Sequence, residues 1–161
     1  MVARSIAAMR FLIIFLATGF YSGYVPVAPG TAGSVVGAAV WWFFLSPLWD
    51  RSPVLMIALW AVVFAAGCVI SGRAEEIFGE RDSPHIVIDE ICGMAATMFL
   101  VPAGWRWLAA GFALFRLFDI AKPFPIGLID RGMPGGPGVM FDDLAAAIYA
   151  NLVLQVAMRL I

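Results

Sequence analysis

Residues 54–70 read VLMIALWAVVFAAGCVI, a run without a charged side chain. Such a run approaches the length of about 20 residues that an α-helix needs to cross the hydrocarbon core of a bilayer. The whole chain of 161 residues is 63% hydrophobic and 13% charged, and its mean hydropathy is +0.94. Ordinary soluble domains are about half apolar, and a chain of this size cannot bury so much apolar surface in a water-soluble core. We therefore predict an integral membrane protein.

Further apolar runs lie on both sides of this one, and Pro, Gly and charged residues separate them. They predict a single all-α domain over residues 1–161, a multi-helix membrane bundle with helices over 34–45, 54–70, 87–101, 106–120 and 143–160. The chain begins with Arg4, Arg10 and an apolar stretch over 11–17, which resembles a signal peptide. No small-x-small cleavage site follows, so we interpret this stretch as a short helix at or in the membrane surface.

Threading these helices alternately through a bilayer puts the polar segments 18–33, 73–90 and 119–143 on one face. The other face receives only the turns at 46–53 and 102–106. Because basic residues favour the cytoplasmic side, their distribution predicts that the polar face is cytoplasmic. The residues compared are Arg4, Arg10, Arg73, Arg81, Lys122 and Arg131 on the polar face, and Arg51, Arg106 and Arg159 on the other.

The charge balance excludes one class of partner. The net charge is −1 and the chain has one histidine, so it lacks the basic field with which proteins bind nucleic acid. Cys68 and Cys92 lie within apolar runs, where a small buried side chain is the usual interpretation rather than a disulfide or a metal ligand. The expected partners are membrane lipids, and no pattern in the sequence specifies an oligomeric state.

Two pairs of adjacent acids lie at the starts of apolar helices. Asp89 and Glu90 lie at the start of the helix predicted over 87–101, and Asp142 and Asp143 at the start of the last helix. Acids at a helix start can simply favour the helix dipole. Unpaired carboxylates beside lipid are costly, however, and usually functional. Magnesium would satisfy them, because it prefers carboxylate and water oxygens.

Basic residues accompany these acids. Arg116, Asp119 and Lys122 recur every three residues and are predicted to share one helical face, either as a row of ion pairs or as part of a phosphate site. Asp130 and Arg131 begin the next loop, where they form either a solvated pair or a further substrate contact.

A Gly- and Pro-rich segment over 18–34 adds a possible anion site. Free amides at a helix start bind anions, so we expect the stretch from Pro29 to Ser34, with Gly30, Thr31, Gly33 and Ser34, to hold phosphate oxygens. A simple linker between two hydrophobic helices is the alternative.

The acid groups all fall at the ends of helices on the same face, so distant helices can bring them together. Carboxylates grouped with Arg and Lys, without a His or Cys cluster, favour magnesium-assisted phosphoryl chemistry over zinc chemistry. The candidate catalytic residues are Asp89, Glu90, Asp119, Asp142 and Asp143. Of these, Asp89, Glu90 and Asp143 are the predicted magnesium ligands.

Four motifs together resemble the phosphatidylglycerophosphatase A family of bacterial lipid phosphatases. They run from Gly19 to Ser34 (GFYSGYVPVAPGTAGS), Ile86 to Gly93 (IVIDEICG), Phe115 to Ile126 (FRLFDIAKPFPI) and Gly138 to Asp143 (GVMFDD). The resemblance implies a magnesium-dependent, all-helical enzyme of the bacterial inner membrane that hydrolyses phosphatidylglycerophosphate to phosphatidylglycerol and phosphate. Tyr21 stands where the family commonly has glycine, and Ala147 where an Ala-Gly pair is usual.

Other functions fit the residues less well. Cysteine phosphatases, phosphatases with two histidines and haloacid-type enzymes all need motifs that are absent from the sequence. A CDP-alcohol phosphotransferase would need an Asp-x-x-Asp-Gly-x-x-Ala-Arg run, which is also absent, and a transporter or scaffold would place its charges nearer mid-membrane. For the phosphatase we expect in-line attack of water on phosphorus, with an aspartyl nucleophile, Asp119 or Asp142, as the alternative.

Overall fold

The computed structural model describes residues 2–160 and, within them, all side chains except those of Val2, Ala3 and Asp130. This part of the chain contains no β-strand, which confirms the predicted all-α class. Its α-helices are α1 Val2–Ala17, α2 Pro29–Val40, α3 Ser46–Arg51, α4 Pro53–Phe78, α5 Ile88–Thr97, α6 Trp105–Ala121, α7 Ile126–Gly132 and α8 Gly136–Leu160. A π-helical segment, Trp41–Leu45, joins α2 to α3 without a break.

Three helical segments are long and apolar enough to cross a membrane: Pro29–Arg51, Pro53–Phe78 and Gly136–Leu160. Many side chains along α4 are exposed although they are apolar, among them Val54 at 79% and Val62 at 67%. An apolar helix exposed in this way needs lipid around it, because the contact of so much apolar surface with water is unfavourable. The fold is therefore that of a membrane protein, as the composition predicts.

Several helix boundaries differ from the sequence-based expectation. Helix α2 begins at Pro29 rather than at residue 34, and α5 ends at Thr97 rather than at residue 101. The predicted turn over 46–53 is instead a helix up to Arg51, and the chain reverses only at Ser52, whose backbone is extended. The second helix continues beyond residue 70, because the charged residues that follow are good helix formers, and it ends before Gly79 with its φ of 70°. The last helix begins at Gly136 rather than 143, since Pro137 is compatible with a first helical turn.

Small residues allow α2 to lie directly against α5. A Cβ atom added to Gly33 would come within 2.7 Å of the Val87 Cβ, and one added to Gly37 would come within 2.9 Å of the Ile91 carbonyl oxygen. This is the spacing by which small residues four apart bring membrane helices together. The close packing holds the start of α5, with its two acids, beside the start of α2.

Helix α5 is too short to cross a bilayer, and polar side chains of α8 donate hydrogen bonds to the carbonyl oxygens at and just after its C-terminal end. Asn151 Nδ2 donates to the carbonyl oxygens of Thr97 at 2.8 Å and Phe99 at 2.6 Å, and Gln155 Nε2 donates to Phe99 and Leu100. The last carbonyls of a helix have no partner within the helix. Inside a membrane such groups must be satisfied by protein, and Asn151 does this for the end of α5.

We predict that Asn151→Leu lowers the thermal unfolding temperature of the detergent-solubilised protein. The substitution leaves the Thr97 carbonyl oxygen without its side-chain donor and Phe99 with only the longer bond from Gln155 at 3.3 Å, and an unsatisfied buried group costs about 1–3 kcal/mol. Leu152→Ala, on the exposed side of the same helix, is the matched control and should change the unfolding temperature much less. Equal shifts for the two variants would contradict the capping role of Asn151.

Candidate active site

A cavity of about 320 Å³ opens where the ends of five segments meet. Its walls come from the start of α2, the loop between α4 and α5, the start of α5, the end of α6 and the early part of α8. The residues that line it are Ala28, Pro29, Gly30, Asp82, Ser83, Pro84, Ile86, Asp89, Glu90, Arg116, Asp119, Lys122, Asp142 and Asp143. All five predicted catalytic acids are therefore in one cavity.

Three of these acids form a cluster. Asp89, Glu90 and Asp143 each offer one carboxylate oxygen, and these oxygens all lie within 4.8 Å of one another. Within the described residues, Asp89 Oδ1, Glu90 Oε2 and Asp143 Oδ2 are buried and have no hydrogen-bond partner. Buried acceptors normally have a partner, because leaving one without it is costly. Three carboxylates at this spacing, each with an unpartnered buried oxygen, fit a divalent cation.

The electrostatic setting of the α5 acids agrees with this geometry. Burial raises the pKa of Asp89 well above its usual range, and the nearby charge of Glu90 raises it further. Burial also raises the pKa of Glu90, although the positive charge of Arg116 counteracts part of the effect. A cation between the two carboxylates would favour their ionised forms, because opposite charge lowers an acid's pKa.

Arg116 is the main basic group of the cavity. Its Nη1 forms an ion pair with Asp119 and lies 3.9 Å from Glu90 Oε1. The same atom is 3.4 Å from Ser34 Oγ, whereas the buried Nε has no partner among the described residues. A guanidinium held by a carboxylate on one side, with a free N–H on another, suits a phosphate oxygen.

Lys122 reaches the cavity differently from the predicted arrangement. Helix α6 ends at Ala121, and Lys122 follows it in a left-handed conformation with φ 41°, so it does not continue a helical row with Arg116 and Asp119. Its Nζ instead contacts Asp142 Oδ2 at 2.8 Å. Because α8 begins at Gly136, Asp142 and Asp143 lie in its second turn rather than at its start.

The start of α2 contributes to the cavity, but only in part. Gly30 lines it and lies so close to Glu90 Oε1 that a Cβ atom would overlap that oxygen. Thr31 and Gly33 are outside the lining, and Gly33 instead packs against Val87. Ser34 is buried and donates to the Gly30 carbonyl at 2.9 Å, so it reaches the site through Arg116.

Of the predicted pair at 130 and 131, the structure describes only the side chain of Arg131. Arg131 is exposed on α7 and is absent from the cavity lining. The side chain of Asp130 lies outside what the structure describes.

Two polar residues in the cavity wall were missed from the sequence. Asp82 and Ser83 line the cavity from the α4–α5 loop, and Ser83 Oγ is buried without a partner among the described residues. The signal available was their place in the charged segment just before Asp89. This signal was weak, because a Ser-Pro dipeptide in such a segment is typical of an ordinary turn.

The comparison with known proteins agrees with the family resemblance of the four sequence motifs. Residues 15–158 match the family model of phosphatidylglycerophosphatase A. The chain is 40% identical over 143 residues to phosphatidylglycerophosphatase A of Haemophilus influenzae, covering 88% of this chain and 86% of that protein. It is 36% identical over 141 residues to the Escherichia coli protein of the same name, covering 86% and 79%.

A third relative carries a different name. The chain is 36% identical over 156 residues to a Bacteroides thetaiotaomicron protein named "Putative phosphatidylinositol-3-phosphatase", covering 91% of this chain and 94% of that protein. No solved structure gives a significant match. With a family match that extends over most of its length, the chain belongs to the phosphatidylglycerophosphatase A family.

Proposed function

We propose that this protein is a magnesium-dependent lipid phosphatase that hydrolyses phosphatidylglycerophosphate to phosphatidylglycerol and inorganic phosphate, a step of phospholipid biosynthesis. The observation that carries the proposal is the cluster of Asp89, Glu90 and Asp143 in the same cavity as Arg116. Membership of the family and the names of two relatives give the substrate. The same names, with the cavity, support the assignment as an enzyme.

The residues fit the proposed cation. Three clustered carboxylates each have a buried oxygen without a partner, and no histidine or cysteine lines the described cavity. This all-oxygen set is the one that magnesium prefers. Bound there, magnesium would neutralise charge on the phosphoryl group and lower the pKa of a water molecule.

The other cavity residues hold and orient the substrate. Arg116, kept in place by Asp119, binds the phosphate oxygens, and Lys122, kept in place by Asp142, supplies a second positive charge. The absence of a side chain at Gly30 leaves room beside Glu90. Fixed positive groups of this kind stabilise charge on a transferring phosphoryl group.

The reaction itself needs no covalent intermediate. A water oxygen forms a bond to phosphorus as the bond from phosphorus to the glycerol oxygen breaks. One cavity carboxylate takes a proton from the attacking water, and the departing glycerol oxygen takes up a proton to become a hydroxyl. Phosphatidylglycerol stays in the membrane and phosphate leaves to the water.

The name of the relative called "Putative phosphatidylinositol-3-phosphatase" makes phosphatidylinositol 3-phosphate a second candidate substrate. Both lipids are phosphomonoesters, so the same carboxylates and Arg116 would serve either reaction. The difference between them lies in the alcohol that carries the phosphate, a glycerol or an inositol ring.

We further propose that the protein resides in the inner membrane with the cavity at the cytoplasmic side. The excess of basic residues on the polar face supports this orientation through the positive-inside rule. The spanning segments also fit it, since the cavity is built at the start of Pro29–Arg51, after the end of Pro53–Phe78 and early in Gly136–Leu160.

We predict that the purified protein releases phosphate from phosphatidylglycerophosphate faster than from phosphatidylinositol 3-phosphate or phosphatidic acid, and only with magnesium present. The measurement is phosphate release in mixed micelles, with and without EDTA. Inner-membrane vesicles of both orientations extend the test, and substrate added outside should be used only by inside-out vesicles.

Each part of the proposal can fail separately in this experiment. Preference for the inositol lipid would replace the substrate, activity that survives EDTA would remove the metal, and turnover by right-side-out vesicles would reverse the orientation. No release from any of the lipids would overturn the function.

A second prediction concerns the carboxylate cluster. Asp89→Asn and Asp143→Asn remove a negative ligand at nearly constant volume and should weaken divalent cation binding at least about tenfold. Titration with Mn²⁺, followed by electron paramagnetic resonance, measures this without turnover. Asp50→Asn, at an exposed position outside the cavity, is the control and should bind as the unmodified protein does. Normal Mn²⁺ affinity in both cluster variants would rule out the site.

A third prediction compares two arginines. Arg116→Gln should lower kcat/KM by about 10- to 100-fold, the effect of losing one or two charge-assisted hydrogen bonds, while Mn²⁺ affinity changes little. Arg131→Gln should stay near the unmodified value, because Arg131 is exposed outside the cavity. A comparable loss from Arg131→Gln would support the sequence-based assignment of Arg131 to substrate and contradict the geometry.

A further inference from the structure

A second concave region lies between α1 and α4, away from the proposed active site. It has a volume of about 510 Å³ and is lined by Met9, Arg10, Ile13, Val69, Ile70, Arg73, Glu76 and Ile77. This volume is within the range of roughly 300–1,000 Å³ that is typical of ligand pockets. None of these residues lines the active-site cavity, so this α1–α4 groove is separate from the proposed active site.

The floor of the α1–α4 groove is apolar, and its rim is charged. Met9, Ile13, Val69, Ile70 and Ile77 provide a continuous hydrocarbon surface between the two helices. The groove also lies along a helix that is long and apolar enough to span the membrane. Its walls are therefore matched to an acyl chain rather than to a water-soluble ligand.

The rim carries two guanidinium groups and one carboxylate. Arg10 has no ion pair with any side chain that the structure describes. Arg73 contacts Glu76 at 2.9 Å, but both side chains are about two-thirds exposed at 63% and 66%. Exposed pairs of this kind contribute little, so Arg73 is available to another anion, and the rim keeps a net positive charge.

The depth of the rim suits a lipid headgroup. Arg73 lies near the C-terminal end of α4, which leads into the loop that forms one wall of the active-site cavity. Arginine side chains near helix ends extend toward the membrane surface, where phosphate groups lie. An apolar floor below a positive rim at this depth matches the two parts of an anionic phospholipid.

We infer that the α1–α4 groove is a second lipid site, which binds an anionic phospholipid with an acyl chain on its apolar floor and the phosphate against Arg10 and Arg73. Glu76 opposes this binding because it repels the phosphate and competes for Arg73. The inference does not depend on the reaction proposed above, since it concerns binding alone.

The test is the thermal unfolding temperature of the full-length protein in a neutral detergent, with added dimyristoyl phosphatidylglycerol or dimyristoyl phosphatidylcholine. A lipid that binds only the folded state raises this temperature. We expect a larger rise with phosphatidylglycerol than with phosphatidylcholine. The double variant Arg10→Gln/Arg73→Gln should lose most of that difference, and Glu76→Gln should increase it.

Two controls locate the effect. Arg51→Gln/Arg106→Gln removes the same charge from outside the groove and should keep the full response to phosphatidylglycerol. Arg116→Gln alters the active-site cavity and should also keep it. The inference is overturned if the groove variant responds like the unmodified protein, if the distant pair loses as much, if Arg116→Gln alone abolishes the response, or if both lipids act equally.

Discussion

The burial of three carboxylates against one another is the constraint on which the rest of this structure depends. Asp89 and Asp143 are only 8% and 3% exposed, and Glu90 stands beside them with Arg116 as its nearest described cation at 3.9 Å. Charges removed from water in this way are expensive unless they are paired. Apolar side chains at these positions would make the bundle more stable, which is part of the reason why we propose that the cluster binds a cation.

Close packing and hydrogen bonds hold α5, the helix that carries two of these acids. Glycines at 33 and 37 let α2 approach α5, and Gly93 does the same for Phe115 of α6. Because α5 is short, its far end would leave carbonyl oxygens without partners, and Asn151 and Gln155 of α8 satisfy them. The helix that carries Asp89 and Glu90 is thus fixed at both ends, by close contact at one and by hydrogen bonds at the other.

The sequence predicted the class of fold, and which acids lie together in the cavity, better than it predicted local geometry. Apolar runs and breakers place helices well, because a membrane helix must satisfy its own backbone. They cannot show that α8 begins at Gly136, since Gly and Pro there read equally well as a loop. Nor can helical periodicity reveal that the chain turns left-handed at Lys122, which sends that side chain to Asp142. Thr31 was assigned from the anion site expected at a helix start and Arg131 from its place at the beginning of the following loop, and neither residue lines the cavity.

The cavity is built partly from helices and partly from a loop, and this difference bears on how the chain can have relatives named for different lipids. The groups suited to a phosphomonoester, the three clustered carboxylates with Arg116, sit on helices and are braced by packing, so they suit any alcohol that carries the phosphate. The wall formed by Asp82, Ser83 and Pro84 belongs to a loop instead, and Ser83 Oγ there is buried with no partner in the described structure. A hydroxyl placed in this way can both donate and accept, so it suits either a hydroxyl group of the substrate alcohol or a phosphate oxygen. Loops vary more readily than the packed elements that they join. A difference in headgroup between relatives is therefore easier to accommodate in the α4–α5 loop than at the packed helix ends.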